Sequence, residues 1–146
     1  MTWWKKLLGG DETSNQVDYY KEGLDLLKAG AFHEALTSFR LALKETPSDP
    51  VVLQQIAIAY TRIGMTEEAA KTYRHVLERD PSATGAHYGL AYLLLRGGSE
   101  REAVHHLKAF LADPPVGPEA TRHVAHARDT LAQLHGETPV PEADAY

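Results

Sequence analysis

Eight histidines and no cysteine set the range of side-chain chemistry open to this chain of 146 residues. His123 and His126 are one helical turn apart and His105 and His106 are adjacent, yet no carboxylate or cysteine completes the tetrahedral set that bound zinc requires. His33-Glu34 opens like the helix of a zinc protease, but Thr37 stands where the second histidine belongs. Gly97-Gly98-Ser99 has no lysine behind it and reads as a turn between helices, not as a phosphate loop. No serine sits in a nucleophile elbow. The absence of cysteine removes thiol nucleophiles, thiolate metal sites and a disulfide scaffold together. The reading is therefore of a non-enzymatic protein with solvated histidines, no metal and no cofactor, and a histidine-metal enzyme is kept only as a further alternative.

The spacing that does stand out belongs to cations. Lys28, Arg62 and Arg96 are 34 residues apart, so equal elements should present them in a column able to meet a carboxylate or an acidic peptide. The competing explanation is local: each falls in the last turn of a helical pattern, where exposed carbonyls and the helix dipole favour a cation. The same period runs through other residue types. Pro47, Pro81 and Pro115 follow it, as do Gly30, Gly64 and Gly98; Glu34, Glu68 and Glu102; Ala35, Ala69 and Ala103; Leu43, Leu77 and Leu111; and Phe39, Tyr73 and Leu107. A fixed period in this range points to a stacked array, not to a single irregular domain.

Within each period the pattern is a helix, a glycine, a second helix and a proline. Phe32, Ala35, Leu36, Phe39, Ala42 and Leu43 make the i, i+3, i+4, i+7 stripe of a second helix in copy one, preceded by a first helix over 16–29. Val51 to Ile63 is apolar on most faces, as suits a helix sandwiched between its partner and a neighbouring copy, and Asp49 with Pro50 predicts its start. Ser82 is the predicted N-cap of a helix over 84–96, followed by a helix from Glu100 to Ala112. Ala120, Val124, Ala127, Leu131 and Leu134 form a last stripe that would cover the open edge of the array.

These residues resemble three tetratricopeptide repeats, at 16–49, 50–83 and 84–117, with a capping helix at 118–135. Copy two is the fullest match, with Leu53, Ile56, Ala57, Tyr60, Gly64, Ala69, Tyr73, Val76 and Pro81. Copy one departs at Glu22, and copy three at His87 and Phe110. The resemblance implies an all-α, right-handed solenoid whose first helices line a concave groove for a partner peptide. The groove positions it implies are Val17, Tyr20, Leu24, Leu27 and Lys28 in copy one; Val51, Gln54, Ile58, Thr61 and Arg62 in copy two; and Gly85, Tyr88, Tyr92, Leu95 and Arg96 in copy three. Tyrosines suit such a surface because each joins a large rigid ring to a polar tip, although the same rings serve ordinary helix packing. The heat-shock-tail kind of groove needs clamping asparagines, and Asn15, outside the repeats, is the sole asparagine.

The ends differ from the array. Trp3, Trp4, Leu7 and Leu8 would share one face of a short helix with Lys5 and Lys6 off it, forming an amphipathic arm over 1–15 with its tether. Three fates stay open for it: weak contact with a membrane surface, docking on a partner or a second copy, or folding back over the first repeat. Residues 136–146 have the Pro-rich, acidic composition of a disordered tail, and no leader or membrane span is read. A formal charge of −5 has the wrong sign for coating nucleic acid. The expectation is a cytoplasmic adaptor or scaffold that binds a protein or peptide, acidic and amphipathic in character, during complex assembly or localisation. The alternative is a self-assembling structural protein, a homo-oligomer linked by the arm.

Overall fold

A computed structural model describes residues 16–136. The arm with Trp3, Trp4, Leu7 and Leu8 and the tail from 137 onward lie outside the described residues. Within them the chain forms seven α-helices and no strand: α1 Tyr19–Lys28, α2 Phe32–Glu45, α3 Pro50–Ile63, α4 Thr66–Arg79, α5 Thr84–Arg96, α6 Glu100–Ala112 and α7 Pro118–Leu134. They pair in sequence as antiparallel hairpins, α1 with α2, α3 with α4 and α5 with α6. None is long and apolar enough to cross a membrane.

The three glycines of the period perform one task three times. Gly30, Gly64 and Gly98 take φ of 80°, 96° and 83°, the left-handed region that side chains with a Cβ resist. Each lets the next residue reach back over the end of the first helix: Ala31 N–H donates to the Leu26 carbonyl at 2.9 Å, Met65 to Tyr60 at 2.9 Å and Ser99 to Leu94 at 2.8 Å. The chain reverses there and starts the second helix at once.

Helix starts agree with the sequence at some places and differ at others. Asp49 caps α3, its carboxylate accepting from the Val51 N–H at 2.9 Å with Pro50 at the first helical position. Ser82 does not cap α5. Asp80 captures it, accepting from both the Ser82 N–H at 3.1 Å and its hydroxyl at 2.7 Å, and Ala83 becomes the capping residue without a side-chain bond. The first helix begins at Tyr19, not at 16, because the Asp18 carboxylate takes the Lys21 N–H and starts the helix there.

The core is a row of three clusters, each spanning a helix boundary. Ala35, Ala69 and Ala103 are all fully buried and let paired helices approach closely. The bulky period position, Phe39, Tyr73 and Leu107, fills the space between them. Phe39 packs against Gly23 and Tyr73 against Gly89, and a Cβ on either glycine would collide with the aromatic side chain. α7 closes the row on Ala91, Leu107 and Phe110 through Ala127, with Val124, Leu131 and Leu134 partly buried beside it. Pro118 lies two periods after Pro50, so α7 occupies the register of the first helix of a fourth repeat that has no second helix among the described residues.

Candidate functional site

A cleft of about 720 Å³ lies between α3, α5 and α7. Its floor comes from α5. Tyr88 and Tyr92 are one turn apart on that helix, with ring centroids 4.8 Å from each other, and Phe110 supports Tyr88 from below at 5.0 Å. α7 supplies the wall by stacking imidazoles on these rings. His123 lies over Tyr88 at 4.7 Å and 17°, and His126 over Tyr92 at 4.6 Å and 8°.

Hydrogen bonds hold three of these side chains, Tyr88, Tyr92 and His126, as well. The Thr130 hydroxyl donates its proton to the His126 carbonyl at 2.8 Å, so the Tyr92 hydroxyl must be the donor in its 2.9 Å bond to Thr130 Oγ1. The Tyr88 hydroxyl pairs with His126 Nδ1 at 3.0 Å. Burial raises the pKa of both phenols, with each one's neighbouring acidic group, Tyr92 for Tyr88 and Asp129 for Tyr92, adding to the effect. Both therefore stay protonated at neutral pH, and neither is a phenolate nucleophile.

Of the positions implied by the repeats, Gln54, Ile58, Thr61, Gly85, Tyr88, Tyr92, Leu95 and Arg96 line this cleft. The others lie elsewhere. Tyr20 rests 6.1 Å from Phe39 and borders a smaller hollow with Asp49 and Val51. Leu24 and Leu27 pack on the core between the first two hairpins, and Val17 is exposed before α1. The three cations have three different surroundings. Arg62 lies over the Phe32 ring at 4.7 Å, Lys28 is exposed in the last turn of α1, and Arg96 borders the cleft.

Glu119, His123 and His126 also line the cleft and were missed by sequence reasoning. The signal was present: Glu119 and His126 stand one period after Gly85 and Tyr92, and Pro118 marks the start of an equivalent helix. Reading α7 only as a cover for the core hid its second face. Among the described residues no group of three or more histidines, cysteines and carboxylates is placed to hold a metal ion.

A second titratable cluster joins three helices behind the cleft. His87 on α5 holds the Pro81 carbonyl through Nε2 at 3.0 Å, which requires the proton on Nε2 and leaves Nδ1 as acceptor. His106 on α6 must then donate from Nδ1 across the 2.9 Å contact to His87. Glu102 lies 3.8 Å from His106 Nε2 and pairs with Arg74 of α4. Burial, then the charges of His87 and His105, lowers the His106 pKa, while the Arg74 hydrogen bond lowers that of Glu102.

Comparison with known proteins agrees with the architecture. The tetratricopeptide-repeat pattern matches residues 26–81 and again 55–118, together well over half of the chain. The chain belongs to the tetratricopeptide-repeat family. It is 33% identical over 96 residues to the TPR repeat-containing thioredoxin TTL4 of Arabidopsis thaliana, covering 66% of this chain but 14% of that protein. It is 39% identical over 67 residues to the photosystem I assembly protein Ycf3 of Synechococcus, covering 44% and 39% of the two chains. It thus spans well under half the length of either relative. Among solved structures, the first TPR of Spaghetti (RPAP3) bound to the HSP90 peptide SRMEEVD superposes with a TM-score of 0.66 at 22% identity, covering 78% of this chain and 90% of that one. The Sgt2 TPR domain of Aspergillus fumigatus gives 0.67 at 18% identity, with 88% and 87% covered.

Proposed function

We propose that the chain is a non-enzymatic adaptor that holds a segment of a partner protein in the cleft between α3, α5 and α7 and so helps to assemble or localise a complex. The observation that carries this reading is the preorganised Tyr88–Tyr92 floor. Stacking and hydrogen bonding already restrain both rings, so a bound segment loses little entropy in ordering them. Arg96 at one end offers a planar, permanently charged partner to a carboxylate. The peptide held by the Spaghetti (RPAP3) domain supports the mode of binding, although likeness at 22% identity concerns the fold alone. The partner itself is expected to differ from a heat-shock tail, since no asparagine lies in the repeats. A cytoplasmic setting belongs to the same proposal, with which a chain lacking cysteine is compatible.

Photo-crosslinking amino acids at Tyr88 and Tyr92, with controls at the exposed Glu67 and Lys71 of α4, test the reading. The expected outcome is a discrete crosslinked polypeptide from the cleft positions alone. Capture from the α4 controls with none from Tyr88 or Tyr92 would overturn it.

A further inference from the structure

The cleft carries opposite charges at its two ends. α5 and α7 run side by side in the same direction, because contacts advance together along both: Tyr88 meets His123 and His126, and Tyr92 meets His126 and Thr130. Glu119 therefore stands at the end where both helices begin, one turn before His123, and Arg96 at the end where both finish, one turn beyond Tyr92. The two levels are roughly 20 Å apart at ~1.5 Å per helical residue along α7. These are the one guanidinium and the one carboxylate that line the cleft, and no lysine joins them. Both side chains are exposed, and neither is ion-paired among the described residues. Asp129 acts on the Tyr92 phenol but does not line the cleft. Each charge also complements the dipole of its own helix. That local reason explains a charge near a helix end, not that both charges border one cavity.

We propose that the cleft takes an extended partner segment of about six residues, with a basic side chain at the Glu119 end, an acidic one at the Arg96 end and apolar or aromatic side chains between them. The inference rests on the reading of the cleft as a peptide site and narrows the partner that reading allows. The segment is ordered in charge and not uniformly acidic, because an all-acidic segment would set a carboxylate against Glu119. Like charges brought together at an interface are penalised strongly enough to exclude wrong partners.

Size selects the extended form. At ~3.3 Å per residue, about six extended residues cover the distance between the two charges. A helix of that length is about 10–12 Å across and fills roughly 1,600 Å³ or more, over twice the cleft of about 720 Å³. Between the charges Ile58, Tyr92 and Leu95 line the cleft, so the middle of the segment gains by burying apolar surface there. The end charges then fix register and choice of partner more than they add affinity.

Selection of displayed random peptides on the full chain tests the charge order. Peptides of about 16 residues admit either conformation, since a helix spanning ~20 Å needs about 13. Those enriched on the natural chain should carry one basic and one acidic residue about six positions apart around an apolar centre. On Arg96→Glu the enriched peptides should carry two basic ends, and on Glu119→Lys two acidic ends, whichever direction the peptide runs. Peptides selected on the natural chain should bind Arg96→Gln and Glu119→Gln about 2–5-fold more weakly, a measurement that stands even where charge reversal disturbs folding. Charge patterns unchanged by both reversals, equal affinity for both glutamine variants, or charges about 13 positions apart, as in a helix, would overturn the proposal. Enrichment that persists on Tyr92→Ala would sink the peptide-site reading and this inference together. Enrichment lost on Tyr92→Ala yet indifferent to the charge changes would sink this inference alone, so the two fail separately.

Discussion

Tyr92 illustrates how much one side chain on this surface is asked to do. Its ring stacks on His126, its hydroxyl donates to Thr130, and its remaining face is presented to the cleft. Tyr92→Phe keeps the ring and removes the bond, at an expected cost of about 0.5–1.5 kcal/mol to the docking of α7. Tyr92→Ala should abolish the crosslink from position 88 as well, which the phenylalanine change should leave in place. The His87–His106 pair makes a prediction of its own. Because burial lowers the folded-state pKa of His106, the unfolded chain binds more protons below about pH 6.5. Stability is therefore full above that pH and is lost as the pH falls towards the folded value. His87, His105, Glu102 and Arg74 face the same imidazole and set its response. Urea midpoints at about pH 7.5 and 5.5 should fall more steeply for the natural chain than for His106→Gln, and equal slopes would contradict the assignment.

At the scale of elements, α7 differs from the internal helices α2 to α6. Only Ala120 and Ala127 of its seventeen residues are buried, and among the described residues it has neighbours on one side alone, as α1 does at the other end. Its amides should exchange with solvent faster than those of α3 or α5, reporting local opening below the global unfolding free energy. Ala127→Glu places an unpaired carboxylate against Leu107 and Phe110 and should release α7 while α1 to α4 stay protected in hydrogen exchange. Loss of protection throughout would show instead that the cap is required for the whole array. The hairpin turns respond differently. Gly64→Ala meets no steric neighbour, but at φ of 96° it should destabilise by roughly 1 kcal/mol through the backbone alone.

The molecule as a whole is a line of neighbours, in which each hairpin contacts the next and stability is the sum of units and interfaces. Damage should therefore spread by position. Leu107→Ala, in the last interface, is expected to cost about 2–5 kcal/mol locally and to loosen α5, α6 and α7 before the first hairpin. Two-stage unfolding followed by tryptophan-free probes, such as amide exchange resolved by helix, would show that order; simultaneous loss of all seven helices would refute it. The same linear construction places the cleft at one end of the array, between the second hairpin and the cap, and not across all three repeats.

The 34-residue period was legible because every copy solves the same problem with the same residue types: a glycine where φ must be positive, an alanine where helices touch, and a bulky apolar residue between them. Those constraints are local, so the sequence by itself determined the hairpins, their number and their family. The cleft was legible only in part. Tyr88, Tyr92 and Arg96 follow from the period, but Arg62 turned to Phe32 and Tyr20 to Phe39, choices made by neighbours remote in sequence. The tertiary structure alone decided that His123 and His126 stack on the tyrosines, because that contact depends on how α7 is rotated against α5, and rotation is settled by which of its two faces buries more apolar surface.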